Sequence, residues 1–315
     1  MHTLVTGVAG FIGSTLARRL LADGHTVVGI DAISDYYDES IKRSNLAAVP
    51  TGNFEFIEED LLNADLRSLL DGVDVVYHLA GQPGVRKSWG RDFSIYTAAN
   101  IDATQRLLEA VTEIGTVRRV VYASSSSVYG NAETYPTLES ARPQPLSPYG
   151  VTKLAAEHLC NLYAANFGLS TVSLRFFTVY GPGQRPDMAF TRFIRAGLTG
   201  GEITVFGDGS QLRDFTYVDD IVEANILAGT AAVAAGSVFN VAGGSQATVT
   251  ECLAMIEDMV GRPLNITHLP PVPGDVTRTG GSTAAIREAL GWEPSVSLAQ
   301  GLERQVEWGR RTFAV

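Results

Sequence analysis

The chain has 315 residues, of which 45% are hydrophobic, so one large domain or two closely joined ones with an extensive core are expected. Its 34 acidic and 24 basic side chains give a net charge of −10, which argues against nucleic acid or an anionic membrane as a partner. No apolar run reaches membrane-spanning length, and the first predicted strand starts by Thr3, so we expect neither a membrane span nor a signal peptide.

The two cysteines, Cys160 and Cys252, stand singly in helix-like stretches. Neither has the spacing of a metal ligand, so no metal site is expected. Free buried thiols are typical of a reducing compartment, which predicts a cytoplasmic location.

The chain begins with an apolar strand that runs into a glycine-rich turn and then a helix. Gly7 permits the tight turn, Gly10 lets a pyrophosphate approach the backbone, and Gly13 lets the helix lie close to the sheet. The helix N-terminus, at Phe11 and Ile12, attracts negative charge. These five residues therefore predict a dinucleotide-binding site.

A second strand over residues 26–31 follows this helix and ends in Asp31. A carboxylate at this place meets the ribose 2′-hydroxyl of a dinucleotide and repels a 2′-phosphate, so NAD is favoured over NADP. The alternative is that Asp31 is a solvated strand end. The order of strand, glycine turn, helix and strand favours the cofactor.

Strands and helices alternate through the first half of the chain. Further strands are predicted at residues 54–57, 73–79, 119–124 and 172–175, with helices at about 39–48, 64–70, 94–114 and 148–167. This alternation predicts an α/β fold with a Rossmann-type doubly wound parallel sheet, whose ligands bind at the carboxyl ends of the strands.

Small or polar residues follow the third and fourth strands, where the cofactor would lie. The residues predicted to bind it there are Asp60, Leu61, Leu79, Ala80 and Gln82. Asp60 on its own is equally suited to capping a helix.

After residue 175 the alternation ends. Pro and Gly cluster at 181–183 and 270–274, and the later strands are short. We expect a smaller, interleaved C-terminal lobe with no free linker. Residues 1–175 and about 213–241 are assigned to an NAD-binding domain, and about 176–212 and 242–315 to a substrate lobe.

Residues suited to proton transfer occur where the fifth strand ends in four serines and a helix opens at Pro148. Tyr149 and Lys153 are four residues apart and project from one face of that helix. A nearby ammonium and a cationic nicotinamide stabilise the phenolate of a tyrosine, whose free pKa is about 10. Such a pair alone is an ordinary exposed face, but its place after a serine-rich strand end favours catalysis.

These motifs together resemble the extended short-chain dehydrogenases/reductases of the nucleotide-sugar epimerase and dehydratase group. The resemblance rests on TGxxGxxG at residues 6–13, Asp31, the serine strand end and the Tyr149–Lys153 pair. It covers nearly the whole chain and includes residues 213–220, RDFTYVDD, which are similar to the substrate-domain signature of the group.

The resemblance implies NAD as cofactor and a UDP-sugar as substrate of the smaller lobe. It implies that Ser125 is the catalytic hydroxyl, beside Tyr149 and Lys153, and that Arg213 meets the nucleotide diphosphate. The long helices at about 97–114 and 149–167 resemble the pair that forms a four-helix interface in homodimers of the group. An amphipathic helix that covers its own sheet gives the same pattern.

The residues after the serine strand separate the reactions within the group. A 4,6-dehydratase resembling this protein would carry Asp-Glu at positions 126 and 127, and a nucleotide-sugar decarboxylase would typically carry Glu at 127. This chain has Ser126 and Ser127. Elimination then lacks its proton donor, which leaves simple epimerisation.

Two stretches of the sequence indicate which UDP-sugar is the substrate. Residues 34–43 and 175–189 are most similar to those of UDP-glucuronate 4-epimerases, and Thr178 stands where UDP-glucose 4-epimerases usually have Asn. Two positions depart from the pattern: Ala32 replaces the Asn common after the acid, and Val272 stands where many relatives have Arg.

The predicted reaction is C4 epimerisation of UDP-glucuronate to UDP-galacturonate through a transient 4-keto intermediate, with NAD retained. This intermediate is a β-keto acid that can lose carbon dioxide, and Ser126, Ser127 and Thr178 are short hydroxyl donors suited to holding its carboxylate. The alternatives are UDP-glucose epimerisation or UDP-glucuronate decarboxylation on the same fold. A non-catalytic NAD-binding regulator is the alternative from another class, but it would not need the complete catalytic set.

An acidic protein needs local arginines to hold a multiply charged sugar nucleotide, because guanidinium groups make bidentate contacts with diphosphate and carboxylate. Arg185 and Arg213 are favoured by their motif neighbours, and Arg86 and Arg278 are weaker candidates for substrate contacts. Asp275 is suited either to contacting the uridine ribose or to capping a turn.

Overall fold

The structure, a computed structural model, describes residues 1–270 and 276–313. The strands of these residues are β1 (His2–Thr6), β2 (Thr26–Asp31), β3 (Phe54–Glu58), β4 (Val75–His78), β5 (Arg119–Ser125), β6 (Thr171–Phe176), β7 (Thr178–Tyr180), β8 (Glu202–Phe206), β9 (Leu212–Tyr217), β10 (Ser237–Val241), β11 (Ser245–Thr248) and β12 (Asn265–Leu269). The helices are α1 (Phe11–Ala22), α2 (Glu39–Ala47), α3 (Leu66–Leu69), α4 (Phe93–Thr97), α5 (Ala103–Ile114), α6 (Pro148–Phe167), α7 (Ala189–Thr199), α8 (Val218–Thr230), α9 (Val249–Val260), α10 (Ala284–Leu290) and α11 (Leu298–Thr312).

The described residues contain one large parallel sheet of seven strands, in the order β3–β2–β1–β4–β5–β6–β10. The chain builds outward from β1 to β3, crosses back to β4 and then builds in the other direction. The predicted doubly wound Rossmann-type sheet is therefore confirmed. Its reversal of strand order, between β1 and β4, opens a crevice at the carboxyl ends of these strands.

Both faces of the large sheet are covered by apolar packing. Successive residues of β1 point to opposite faces, so Val5 joins a cluster with Leu16 of α1 and Ile221 of α8. Leu4 joins a second cluster with Leu107 of α5 and other side chains on α3 and α6. This two-sided burial explains why the central strands read as nearly continuous apolar runs.

The smaller lobe is interleaved with the large sheet, as predicted. Strands β7, β9 and β11 form one small sheet, and β8 pairs in parallel with β12. The chain returns to the large sheet for α8 and for β10, which pairs with β6. This return begins at Val218 and not near residue 213, because β9 is paired within the small sheet.

The helix expected over residues 94–114 is interrupted. Helix α4 ends at Thr97, residues 98–102 form a π-helical turn, and α5 begins at Ala103. A π-turn adds one residue to a helical turn and changes the direction in which side chains point, and such turns are frequent at functional sites. Asn100 lies in this turn and is buried.

In residues 1–270 and 276–313, no helix combines the length and the hydropathy needed to cross a membrane.

Candidate active site

The turn between β1 and α1 forms a concave stretch of backbone without side chains, which we call the glycine cradle. Gly7 has a φ of +71°, which disfavours other residues, and a Cβ there would lie 2.8 Å from the backbone nitrogen of Ala80. A Cβ on Gly13 would lie 2.2 Å from the carbonyl oxygen of Gly7, and one on Gly10 would lie 3.2 Å from the same atom. Side chains are thus excluded from the turn at the point where α1 begins.

The carboxylate of Asp31 is fixed at the end of β2 by backbone donors. Its Oδ2 accepts from the amide of Ala9 at 3.0 Å, and its Oδ1 accepts from the amide of Ile33 at 2.9 Å. Burial raises the pKa of Asp31, while these two amides and the ammonium of Lys42 oppose that rise. Ile33 has a φ of +45°, an unfavourable value for a β-branched residue, so this loop carries backbone strain next to the site.

A cavity of about 340 Å³ runs along the carboxyl ends of the central strands. It extends from Asp31 past the glycine turn to Tyr149 and Lys153. Every residue predicted to bind the cofactor lines it: Gly7, Gly10, Phe11, Ile12, Gly13, Asp31, Asp60, Leu61, Leu79, Ala80, Gln82, Tyr149 and Lys153. Asp60 also accepts from the amide of Leu62 at 2.9 Å, within a turn, whereas the helix that follows, α3, is capped by Asp65, so Asp60 is not a helix cap.

Tyr149 and Lys153 project from the first turns of α6 into this cavity. The helix starts sharply because the hydroxyl of Ser147 accepts from the amide of Gly150 at 3.1 Å and Pro148 occupies the first position. The hydroxyl of Ser125, at the end of β5, is within hydrogen-bonding reach of the Tyr149 hydroxyl. The three predicted catalytic side chains therefore meet at one end of the cavity.

The protonation of Tyr149 and Lys153 is set by burial and by the charges around them. Burial raises the pKa of Tyr149, and the Ser125 hydrogen bond and the positive charge of Arg185 act in the opposite direction. Burial lowers the pKa of Lys153 to about 8, although Glu157 favours its charged form. The Lys153 ammonium lies 4.5 Å from the centroid of the Tyr122 ring, which stabilises the cation.

Asn100 is a site residue that the sequence analysis missed. Its Oδ1 accepts from the amide of Gln82 at 2.7 Å, and its Nδ2 donates to the Gln82 carbonyl at 3.2 Å and to Oγ1 of Thr152 at 2.9 Å. The side chain thus ties the loop after β4 to α6. Nothing in its local sequence marked it, because its inward direction depends on the π-turn.

A buried charged network behind the catalytic group was also missed. Glu157 accepts from the hydroxyl of Ser124 at 2.6 Å and forms a salt bridge with Arg175 at 2.6 Å. The Glu157 and Arg175 side chains are 1% and 5% exposed. Glu157 follows Lys153 by four residues, and Arg175 lies in a buried strand. Two opposite charges at predicted core positions are the sequence feature that could have predicted this ion pair.

The predicted substrate hydroxyls follow neighbouring strand ends. Ser126 and Ser127 form a short helical turn directly after β5, and the amide of Ser127 donates to Oγ of Ser125 at 3.1 Å. Thr178 opens β7, two residues after Phe176, which is paired with Ser125 in the large sheet. All three are partly exposed at the same edge of the sheet.

Arg185 is the predicted substrate arginine that lines the cavity. Its guanidinium makes a bidentate ion pair with Asp187, at 2.9 and 3.0 Å. Arg213 and Arg278 lie together in the smaller lobe, where Leu212 pairs with Arg278. Arg213 donates to the carbonyls of Leu212 and of residue 276.

Arg86 and Arg278 both lie over aromatic rings. The guanidinium of Arg86 is 4.3 Å from the ring centroid of Phe206, at the end of β8, and that of Arg278 is 4.5 Å from the ring of Tyr135. Arg86 therefore touches the smaller lobe. Asp275 lies outside the described residues.

Among the residues that the structure describes, no group of three or more His, Cys, Asp or Glu side chains is arranged to hold a metal ion. Cys160 and Cys252 are free and buried. His78 is also buried, between the hydroxyls of Thr6 and Thr104, and burial lowers its pKa to about 3. It is a neutral core residue.

The sequence profile of the NAD dependent epimerase/dehydratase family matches residues 3–242. The chain belongs to this family. Its glycine cradle, from which a Cβ is excluded, and its fixed Asp31 carboxylate fit the NAD that gives the family its name. The family includes both epimerases and dehydratases, so the reaction has to be argued from the residues after β5.

Individual relatives are similar to this chain over nearly their whole length. It is 45% identical over 310 residues to an uncharacterised UDP-glucose epimerase, YtcB, of Bacillus subtilis (strain 168), with 98% of each chain covered. It is 36% identical over 318 residues to a UDP-glucuronate 4-epimerase of Thermodesulfobacterium geofontis (strain OPF15), covering 99% of this chain and 97% of the relative. The crystal structure of UDP-glucuronic acid 4-epimerase from Bacillus cereus, in complex with UDP-glucuronic acid and NAD, matches with 44% identity, a TM-score of 0.95 and 99% coverage of each chain.

Proposed function

We propose that this protein is a UDP-glucuronate 4-epimerase that converts UDP-glucuronate to UDP-galacturonate with retained NAD. One observation carries the proposal: Tyr149 and Lys153 lie at the end of the cavity that the predicted cofactor residues line, Ser125 is hydrogen-bonded to Tyr149, and no acidic residue stands at the two positions after Ser125. The match to a Bacillus cereus epimerase solved with UDP-glucuronic acid and NAD supports the same substrate.

The cofactor end of the cavity is assigned to the glycine turn and to Asp31. Backbone amides at the start of α1 hold the pyrophosphate, and the Asp31 carboxylate accepts from the ribose 2′-hydroxyl. Bound NAD supplies a reversible two-electron acceptor for the carbon that bears the reacting hydroxyl. The ammonium of Lys153 orients the second ribose and adds positive charge beside Tyr149.

Tyr149 is assigned as the base that takes the proton from the sugar 4-hydroxyl. Lys153 stabilises its phenolate by charge, and Ser125 shares the proton through its hydrogen bond to Tyr149. When the 4-keto sugar has turned about its diphosphate linkage, C4 would receive the hydride back on its opposite face, and the same tyrosine returns the proton to the C4 oxygen. The protein thus ends each turnover in the state in which it began.

Ser126, Ser127 and Thr178 are assigned to the C6 carboxylate. A 4-keto uronate loses carbon dioxide most easily when the breaking bond lies parallel to the carbonyl π orbitals. Hydroxyl donors from two neighbouring strand ends can hold the carboxylate away from that alignment. Arg185, which lines the cavity together with Tyr149 and Lys153, is assigned to add the positive charge that an acidic protein needs for this substrate.

The smaller lobe is assigned to the nucleotide. Leu212, which precedes Arg213, pairs with Arg278 there, and Arg86 reaches the ring of Phe206 from the loop after β4. These arginines are the proposed ligands of the diphosphate, and Asp275 is the proposed contact of the uridine ribose. Residues 1–175 and 218–241 then form the NAD-binding part, and 176–217 and 242–315 the nucleotide-sugar part.

We also propose that the protein is a cytoplasmic homodimer. Val151 and Leu162 are 46% and 55% exposed on α6, on the side turned away from the sheet. A second copy of α5 and α6 would cover them in a four-helix interface. The two free, buried cysteines are consistent with a reducing compartment.

The test is to incubate the purified protein, without added cofactor, with UDP-glucuronate and separately with UDP-glucose, and to identify the products by chromatography and NMR. We expect UDP-galacturonate from the first substrate alone. The Tyr149→Phe variant should retain NAD and lose activity by about 10²- to 10⁴-fold, as removal of a general base does. A UDP-pentose product, or turnover of UDP-glucose only, would refute the assignment of Ser127 and Thr178.

A further inference from the structure

The cavity is covered by loops that come from both lobes. Tyr36 and Tyr37, in the loop after β2, line it together with Arg185, in the loop after β7. A Cβ on Gly183 would lie 3.7 Å from the ring of Phe11, so the loop after β7 passes directly over the N-terminus of α1. Tyr36, Tyr37 and Arg185 line the same cavity as the glycine turn, so these loops border the space in which a molecule held against that turn would lie.

Tyr36 is the residue at which the covering loops meet. Its hydroxyl oxygen lies 2.0 Å from the position that a Cβ on Gly84 would take, so it is inserted into space that only a glycine in the loop after β4 leaves. The Lys87 ammonium lies 4.7 Å from the centroid of the Tyr36 ring on that side. The Arg185 guanidinium lies 6.0 Å from the same centroid, within the range of a cation–π contact.

The smaller-lobe side of this contact is itself rigid. Arg185 is held by Asp187 through two parallel hydrogen bonds of 2.9 and 3.0 Å, a geometry that fixes the plane of the guanidinium. The Asp187 carboxylate also faces the Tyr36 hydroxyl. Burial, followed by this negative charge, raises the pKa of Tyr36, so its hydroxyl keeps the proton that it can donate to Asp187.

We propose that Tyr36 is a latch that fastens the smaller-lobe loop of Arg185 and Asp187 over the pyrophosphate turn and thereby retains NAD. The inference rests on the proposed function, because an oxidation followed by a reduction on one enzyme requires the same cofactor molecule for both halves. A side chain that joins three loops from two lobes raises the barrier to opening without touching the reacting atoms. Tyr36 is thus a retention residue, and its loss should change the release rate more than the chemistry.

The experiment measures NAD release in the absence of any UDP-sugar. Each variant is loaded with radiolabelled NAD, freed of excess by gel filtration and chased with unlabelled NAD. We expect release to be about tenfold faster in Tyr36→Ala and several-fold faster in Tyr36→Phe and Asp187→Asn, because changes at one interface act mainly on the dissociation rate. Trp308→Ala, which removes a ring on α11 outside the cavity lining, should release NAD within about twofold of the parent.

A double variant tests the connection between the lobes. If the hydroxyl of Tyr36 acts through Asp187, Tyr36→Phe combined with Asp187→Asn releases NAD no faster than the faster single variant. Release rates within twofold of the parent in Tyr36→Phe and Asp187→Asn would overturn the proposal, even if Tyr36→Ala fails to fold. A protein that retains NAD through Tyr36 and yet does not turn over UDP-glucuronate would leave the latch standing and refute the proposed function.

Discussion

Three polar side chains, Tyr149, Lys153 and Glu157, follow one another at four-residue intervals on α6 and project from one face of that helix. The environment of each is supplied by side chains of the neighbouring strands β5 and β6. Ser125 meets Tyr149, the Tyr122 ring lies under Lys153, and Arg175 pairs with Glu157. Helical spacing aligns these groups, but their protonation is set by neighbours that are distant in sequence.

At the residue scale, the Glu157–Arg175 pair should be critical for stability. In Glu157→Gln the guanidinium of Arg175 remains buried without its counter-charge, which typically costs about 3–5 kcal/mol. We expect the free energy of unfolding, measured by urea denaturation, to fall by that order. The matched control is Glu307→Gln, because Glu307 pairs with Arg311 on an exposed helix face. It should change stability by less than about 0.5 kcal/mol. Equal effects of the two substitutions would contradict this account.

At the element scale, the site depends on how closely α1 approaches the end of β1. Gly13→Ala places a methyl group 2.2 Å from a backbone oxygen that cannot rotate away, so α1 or the turn must shift. We expect NAD to bind at least about tenfold more weakly, a loss of roughly 1.4 kcal/mol in binding free energy. The measurement is isothermal titration of NAD into protein stripped of cofactor.

Gly52→Ala is the control for that substitution. It lies in a surface turn where an added Cβ would meet no atom within 4 Å. NAD affinity should be unchanged and stability the same or slightly higher, since alanine lowers the entropy of the unfolded chain. Unaltered NAD affinity in Gly13→Ala would show that the turn tolerates displacement and that the close approach is not required.

The helix predicted before β5 contains a π-turn that its hydrophobic pattern does not predict. The periodicity of residues 94–114 indicates a helix, and most of this stretch is helical. In the π-turn at 98–102, Asn100 forms hydrogen bonds with the backbone of Gln82 and the hydroxyl of Thr152, both far away in sequence. A helical period contains no information on such partners.

At the scale of the whole molecule, the exposed side of α6 should decide the oligomeric state. Leu162→Lys places a charge on the exposed side of α6 that the proposed four-helix interface would cover, and should convert the dimer to a monomer in light scattering coupled to gel filtration. The matched control is Leu269→Lys on β12, where the leucine is 42% exposed in the smaller lobe. It should leave the dimer intact. A parent protein that is monomeric at micromolar concentration would refute the interface.

The sequence by itself determined the Rossmann-type fold, because alternating apolar strands and helices fix a parallel sheet covered on both faces. It also placed every predicted cofactor residue in one cavity, since the ends of parallel strands meet at one edge of the sheet. Among the predicted substrate arginines, only the tertiary structure distinguished Arg185, which lines that cavity, from Arg213 and Arg278, which are not among its lining residues. It alone brought Tyr36 to Gly84 and Glu157 to Arg175. Spacing along a chain sets which face a side chain occupies, whereas contacts between loops of different lobes depend on how the whole chain packs.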